Sequence, residues 1–280
     1  MKKYIVSSIF IFLIVFGIFT IILLNSDYYY AKKLVKAIEK EDLVAIEQIL
    51  EKKPSCVNTY PQILPERMFY RMAEDYGPSY PLTEACRSDN VEIVKILVEA
   101  GADVNCNDRL TPLSYTYMCK RNNWYEISLY LIEHGASLDY VTVYYGSKSA
   151  VLMDIVQTGS GPAFPGDEPE REEEVLAAFY YAIDHCDHSQ VDWMNVLQDS
   201  VSDDRVEIVQ YLLDEGYCDV NDTSRDMSAL MFAARDSTSE MVQLLLDRGA
   251  DKSYVDSRGM TAYDYAAKEQ KAEIMELLED

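Results

Sequence analysis

The sequence predicts an all-α fold, a solenoid of helix-turn-helix units with hairpin turns, preceded by one N-terminal transmembrane helix. Three observations lead there. An apolar run near the N-terminus is long enough to cross a bilayer, and short amphipathic segments recur through the remainder of the 280 residues. The third is that 49% hydrophobic content coexists with 48 acidic and 25 basic side chains, a formal charge of −23. Stacked repeats reconcile these numbers, because each unit buries its apolar stripe against its neighbours and leaves charge on the surface.

The first element is residues 1–30. Ile5 to Leu24 contains neither charge nor proline, and a helix of about 20 residues spans roughly the 30 Å of a bilayer core. A cleaved signal peptide would carry a shorter apolar region of about 7 to 15 residues and an A-x-A site. Neither is present, so an uncleaved signal anchor with its transmembrane helix at 5–24 is expected. Lys2 and Lys3 precede the span while Lys32, Lys33 and Lys36 follow it. The signal-like start favours an extracytoplasmic, periplasmic repeat domain, and this near-balanced lysine count leaves a cytoplasmic one open. Tyr28, Tyr29 and Tyr30 suit either an interfacial aromatic belt or the start of the folded domain.

Residues 31–79 form the second element. Lys32 to Asn58 shows two short helical patterns, as a degenerate capping repeat would, and Pro61, Pro65 and Pro78 mark a Pro/Tyr-rich connection. Clear repeats occupy 80–280. VEIVKILVEAGADVN from Val91, VEIVQYLLDEGYCDVN from Val206 and EMVQLLLDRGADKS from Glu240 align directly. Ile93, Val94, Leu97 and Val98 make one apolar stripe, and Ile208, Val209, Leu212 and Leu213 make the next. Gly101, Gly135 and Gly249 follow their helices, where a left-handed cap favours glycine. Upstream stand YPLTEAC, TPLSYTY, SALMFAA and TAYDYAA, in which Thr or Ser can cap and Pro fits the first helical position. Leu82, Leu113, Val151, Leu197, Leu230 and Tyr263 share one register position, separated by 31, 38, 46, 33 and 33 residues.

Period, both motifs and their order together resemble the ankyrin repeat. The departures are specific. At the fourth position of T-P-L-H, where the resemblance implies a hydrogen-bonding His, stand Thr83, Ser114, Leu152, Gln198, Met231 and Asp264. The second copy has extra residues within MCKRNNWYE. An acidic insertion at about 157–174 interrupts the third between its two helices, and Asp167 to Glu174 holds six acids and one Arg.

The charge balance excludes nucleic acid, whose binding relies on Lys and Arg neutralising phosphates. No glycine-rich phosphate loop occurs, and no Ser or Cys stands in a nucleophilic arrangement. Six Cys without a CxxC pair form neither a disulfide framework nor a zinc site. The cluster from Asp184 to His188 could offer His185, Cys186, Asp187 and His188 to a metal. Its register places it on an exposed turn instead, so no catalytic residue, metal or cofactor is expected, and a metal-dependent enzyme at 184–188 is the weaker alternative. Twenty-two Tyr against eight Phe is a skew towards a residue favoured at interfaces. Tyr115, Tyr117, Tyr125, Tyr144, Tyr145, Tyr180 and Tyr181 gather around the insertion; core packing is expected for most of them, as for Tyr211 and Tyr263, while Tyr144 and Tyr145 at a hairpin tip are expected on the surface.

The resemblance implies a protein-binding scaffold rather than an enzyme, with no small-molecule substrate. An acidic, Tyr-rich surface implies a basic protein partner drawn by electrostatic steering. Candidate partner-binding residues lie at hairpin tips: Asn107, Asp108, Arg109, Tyr144, Tyr145, Asp222, Ser224, Asp256 and Arg258. An immunity or inhibitor protein neutralising a toxic enzyme is the alternative within the same fold.

Overall fold

The computed structural model describes residues 26–61, 80–106, 110–139, 141–144, 147–157 and 171–279. The membrane span expected at 5–24, the connection from 62 to 79 and positions 158–170 of the insertion lie outside the described residues. Among the described residues no helix is long and apolar enough to cross a membrane. The chain divides into two compact units, Met1–Thr116 with Arg121–Ser137, and Tyr117–Lys120 with Leu138–Asp280.

The first unit begins with α1 (Asp27–Ile38) and α2 (Leu43–Lys52), followed by a 3₁₀ turn over Pro54–Asn58. Ser26 and Asp42 start the two helices by accepting the N–H groups of Tyr29 and Ala45. Leu34, Ile38 and Ile46 are fully buried where α1 meets α2 and α3 (Pro81–Ser88). The degenerate segment is thus a genuine helix pair. Next come α4 (Val91–Glu99), the part of α5 (Pro112–Cys119) up to Thr116, and α6 (Trp124–Glu133). Asn90 caps α4 through the Ile93 N–H, and the stripe Ile93, Val94, Leu97, Val98 is buried as its periodicity requires. Each fully buried aliphatic side chain contributes roughly 1.5–3 kcal/mol. Gly101 and Gly135 end α4 and α6 at φ +88° and +91°, the left-handed cap that favours glycine.

In the second unit, β1 (Val141–Tyr144) pairs antiparallel with β2 (Ser147–Ala150). There follow α7 (Val151–Val156), α8 (Glu172–His185), α9 (Trp193–Ser202) and α10 (Val206–Asp214). A short hairpin, β3 (Thr223–Ser224) and β4 (Met227–Ser228), leads into α11 (Ala229–Asp236) and α12 (Ser239–Asp247). The unit ends with α13 (Ala262–Lys268) and α14 (Ala272–Leu278). First helices α7, α9, α11 and α13 pack side by side in one layer, and α10, α12 and α14 make the second. Leu152, Leu197, Leu230 and Leu245 lie fully buried between them.

Two expectations change. The fold is not wholly α, because the hairpin turns pair as short strands and Arg225 and Asp226 both adopt positive φ, at 49° and 66°. Two consecutive left-handed residues match the twist of a tight antiparallel hairpin, so β pairing appears within a helical fold. Nor is all charge left on the surface: Glu84, Asp89, Lys120, Asp154, Arg205 and Asp256 are buried. Glu84 pairs with Arg87 at 2.6 Å, Arg205 pairs with Glu172 and donates to the Val156 carbonyl, and Lys120 donates to the carbonyls of Asp154 and Gln157. A buried charge needs such partners.

Candidate interaction surface

The turns that follow the second helices are built by one repeated device. An Asp accepts the N–H two residues on: Asp103 from Asn105, Asp187 from Ser189, Asp219 from Asn221 and Asp251 from Ser253, at 2.8–2.9 Å. This Asx turn fixes the loop locally. An Asn at the matching position of three repeats then clips the next repeat. Asn58 donates to the Gly101 carbonyl (2.9 Å) and accepts from Asp103 N–H (2.7 Å). Asn105 does the same to Gly135 and Ser137, and Asn221 to Gly249 and Asp251. In the third copy Asp139 takes the Asn place and accepts from Asp187 N–H. A carboxylate there keeps the acceptor half of the clip and lacks the donor half. Sequence reasoning missed these residues, although the terminal Asn of G-A-D-V-N repeats in register at Asn58, Asn105 and Asn221 and was the available signal.

A second set of bonds joins the tight turns inside repeats. Asp89 is left-handed, at φ 60°, and its side chain accepts from Asn123 N–H. Asp204, at φ 59°, accepts from the hydroxyls of Ser237 and Thr238. Lys271 donates to the Ser237 carbonyl. Side chains at positions that replace the family His also find polar roles. The Thr83 hydroxyl lies 3.9 Å from Cys106 Sγ, Gln198 reaches the Ser224 carbonyl, and Asp264 closes a capping box with Thr261.

The candidate tip residues fall into separate situations. Asn107, Asp108, Arg109 and Tyr145 lie outside the described residues, and Tyr144 closes β1 opposite Ser147. Asp222 is exposed and accepts from Asp219 N–H at 3.0 Å. Ser224 is half-buried, and its hydroxyl donates to Asn195. Asp256 is not an exposed tip residue: it is 5% exposed and organises its own hairpin. Its carboxylate accepts from Arg258 N–H, Met260 N–H, the Arg258 guanidinium and, at 2.7 Å, the Tyr265 hydroxyl. Burial opposes the charge, and the bonds from Met260, Tyr265 and Arg258 outweigh it, holding the carboxyl down at about 2. Arg258 remains exposed, with its guanidinium over the Tyr265 ring.

The cluster at 184–188 is a helix end. His185 stacks on Tyr181 with its Nδ1 2.8 Å from the Tyr181 carbonyl, and His188 Nε2 lies 2.6 Å from the Ile183 carbonyl. Among the described residues no group of His, Cys, Asp and Glu could hold a metal ion. Burial pushes the Cys218 thiol up to about 12 and the Cys56 thiol to about 11, the opposite of an activated nucleophile.

The tyrosines follow the expected core packing only in part. Tyr115 and Tyr117 are buried, while Tyr211 and Tyr263 are only half-buried and Tyr265 occupies the core position instead. Tyr180 and Tyr181 are exposed.

Paired helices in two layers, joined by clipped polar turns, define a helical repeat scaffold. Three copies of the ankyrin-repeat family model match this chain, over residues 34–142, 174–256 and 197–280, and the chain belongs to that family. Over 84 residues it is 36% identical to short transient receptor potential channel 4 of mouse, rat and human. That stretch is 30% of this chain, and the chain spans 8% of the length of these relatives. Among solved structures it is similar to the human ASB11 ankyrin repeat domain, with TM-score 0.59 and 21% identity over 88% of this chain and 97% of that one. It is also similar to EF0377, an ankyrin repeat protein, with TM-score 0.51 and 24% identity over 70% of this chain and 95% of that one. At these identities the likeness is one of fold.

Proposed function

We propose that this chain is a protein-binding scaffold, without catalytic chemistry of its own, whose acidic turns receive a basic protein partner. Ankyrin repeats are interaction modules as a family, and that supports the general reading. One observation carries the finer one. Exposed Asp187, Asp219, Asp222 and Asp251 stand on turns whose backbone is fixed by Asx bonds, with Asn221 clipping the turn at Asp219 to that at Asp251. Preorganised like charges raise the encounter rate with an oppositely charged partner and lose little entropy on binding. The apolar run at 5–24 supports a membrane-tethered placement of this scaffold.

The full chain, immobilised and exposed to extracts of its own cells, should retain a basic protein and release it between low and physiological salt. Retention of an acidic or neutral partner, indifferent to salt, would contradict the electrostatic reading. Extraction of the chain from membranes by alkaline carbonate would contradict the tether.

A further inference from the structure

The second unit carries a continuous aromatic ladder that its own packing does not consume. Phe179 is buried at its base and stands edge-on to Tyr211 at 6.2 Å. Tyr180, exposed on α8, meets Tyr211 on α10 at 5.1 Å. Tyr211 continues to Tyr217 at 6.1 Å, and Tyr217 stacks on Trp193 at 4.4 Å. His188 closes the far end, 5.3 Å from Trp193. Tyr211, Tyr217 and Trp193 are each half-buried, so the rings present part of their surface to solvent.

The chain segment that carries this surface is strongly acidic, and Arg248 from the end of α12 pairs with its Asp214. Between Glu172 and Ser224 the chain holds fourteen acidic residues and one basic residue, Arg205, which is buried and paired with Glu172. Burial and then Glu207 push the Tyr180 phenol up, and burial, Tyr217, Glu215 and Asp184 do the same to Tyr211, so these carboxylates act on the rings themselves. Elsewhere the protein covers aromatic faces with its own cations: Lys33 over Tyr29, Lys52 over Tyr30, Lys95 over Tyr130, Arg235 over Phe232 and Arg258 over Tyr265. Among the described residues no Lys or Arg stands over a ladder ring.

We infer that the ladder of Tyr180, Tyr211, Tyr217 and Trp193, rimmed by Asp184, Glu207 and Glu215, is a docking surface for an arginine-bearing segment of a protein partner. The aromatic faces carry negative quadrupole, and the adjacent carboxylates deepen it. A planar guanidinium satisfies both at once, stacking on a ring while its N–H groups reach a carboxylate, which an ammonium does less well. The inference rests on the basic-partner reading for its sign of charge. It extends the contact from the acidic turns onto the second helices that precede them.

The test uses the full chain and the peptide (Arg-Gly)4, followed by tryptophan emission. Trp193 is half-buried at the ladder, whereas Trp124 is buried. Saturable binding is expected, with a change in emission, and the citrulline peptide (Cit-Gly)4 should not reproduce it. Tyr180→Leu with Tyr217→Leu keeps apolar volume and removes the ring faces; binding should weaken about tenfold, as for two exposed cation–π contacts. Tyr180→Phe with Tyr217→Phe should bind as the parent does. Should the Leu pair unfold by circular dichroism, Glu207→Gln with Glu215→Gln removes exposed charge without touching packing and should also weaken binding.

Binding unaltered in the Leu and Gln variants overturns the ladder and leaves the basic-partner reading standing. Absence of any arginine-peptide binding to the parent chain overturns both. Self-association by light scattering that the Leu pair abolishes overturns the arginine segment as occupant and assigns the surface to a second copy.

Discussion

Replacing Asn221 by Ala removes one clip between consecutive repeats and nothing from the apolar core. Two bonds are lost, the donor to the Gly249 carbonyl at 3.1 Å and the acceptor from Asp251 N–H at 2.8 Å. Both are neutral and exposed, so each contributes near the lower part of the ~0.5–1.5 kcal/mol range, for about 1–2 kcal/mol together. Because stability in a repeat array is a sum of unit and interface contributions, the loss should be local as well as global. Urea unfolding should shift by that amount, and native-state hydrogen exchange at Asp251 N–H should accelerate roughly tenfold, while exchange at Asp103 and Ser137, held by Asn58 and Asn105, stays unchanged. Unaltered protection at Asp251 would refute the idea that the side chain holds the turn. Asp139 offers the reverse experiment. Asp139→Asn restores a donor where the parent has only an acceptor for Asp187 N–H, and should stabilise by about 0.5–1 kcal/mol.

Gly249→Ala places a Cβ in open space, with nothing within 4 Å, at φ +87°, so its effect is backbone conformation alone. It should lower stability by about 1 kcal/mol in thermal unfolding, and a neutral result would show that the cap relaxes. Asp256 has its carboxyl at about 2 in the folded state against 3.8 for the ordinary group. Its stabilisation is therefore complete above pH 4 and is lost as pH falls from there through about 2, and Asp256→Asn should remove that part of the acid limb of a Tm–pH curve. A parent and variant with parallel acid limbs would contradict the assigned hydrogen bonds. Cys218, with its thiol pushed up to about 12, should resist iodoacetamide at pH 8 in the folded chain and react fully in urea. Rapid native-state labelling, read by mass spectrometry, would show a more open turn than the structure describes.

The helical layers and their order were legible because each repeat writes its apolar stripe at helical spacing. Ile208, Val209 and Leu212 are buried where their spacing places them, and Gly101, Gly135 and Gly249 take the left-handed caps that glycine in that register announces. The candidate surface was less legible. Asp222 is exposed as its turn position implies, whereas Asp256, at a comparable turn in the next repeat, is buried by Tyr265 and its own hairpin backbone. Three of its four bonds come from Arg258 and Met260 inside SYVDSRGM, and the fourth, from the Tyr265 hydroxyl, forms only because the hairpin folds back on α13.

Stripes, caps and Asx turns depend on neighbours within about four residues, and such short-range chemistry is written directly in the amino-acid order. That much the sequence determined: a family fold, its period and its acidic sign. Tertiary packing decided which of those residues meet. Asn221 finds its partners 28 and 30 residues away on backbone groups that carry no side-chain identity. Tyr180, Tyr211, Tyr217 and Trp193 become one surface only when α8, α10 and the turns around them come together. A hydrogen bond to a carbonyl or a ring contact between helices is indifferent to sequence distance, so only the folded chain brings those groups within reach of each other.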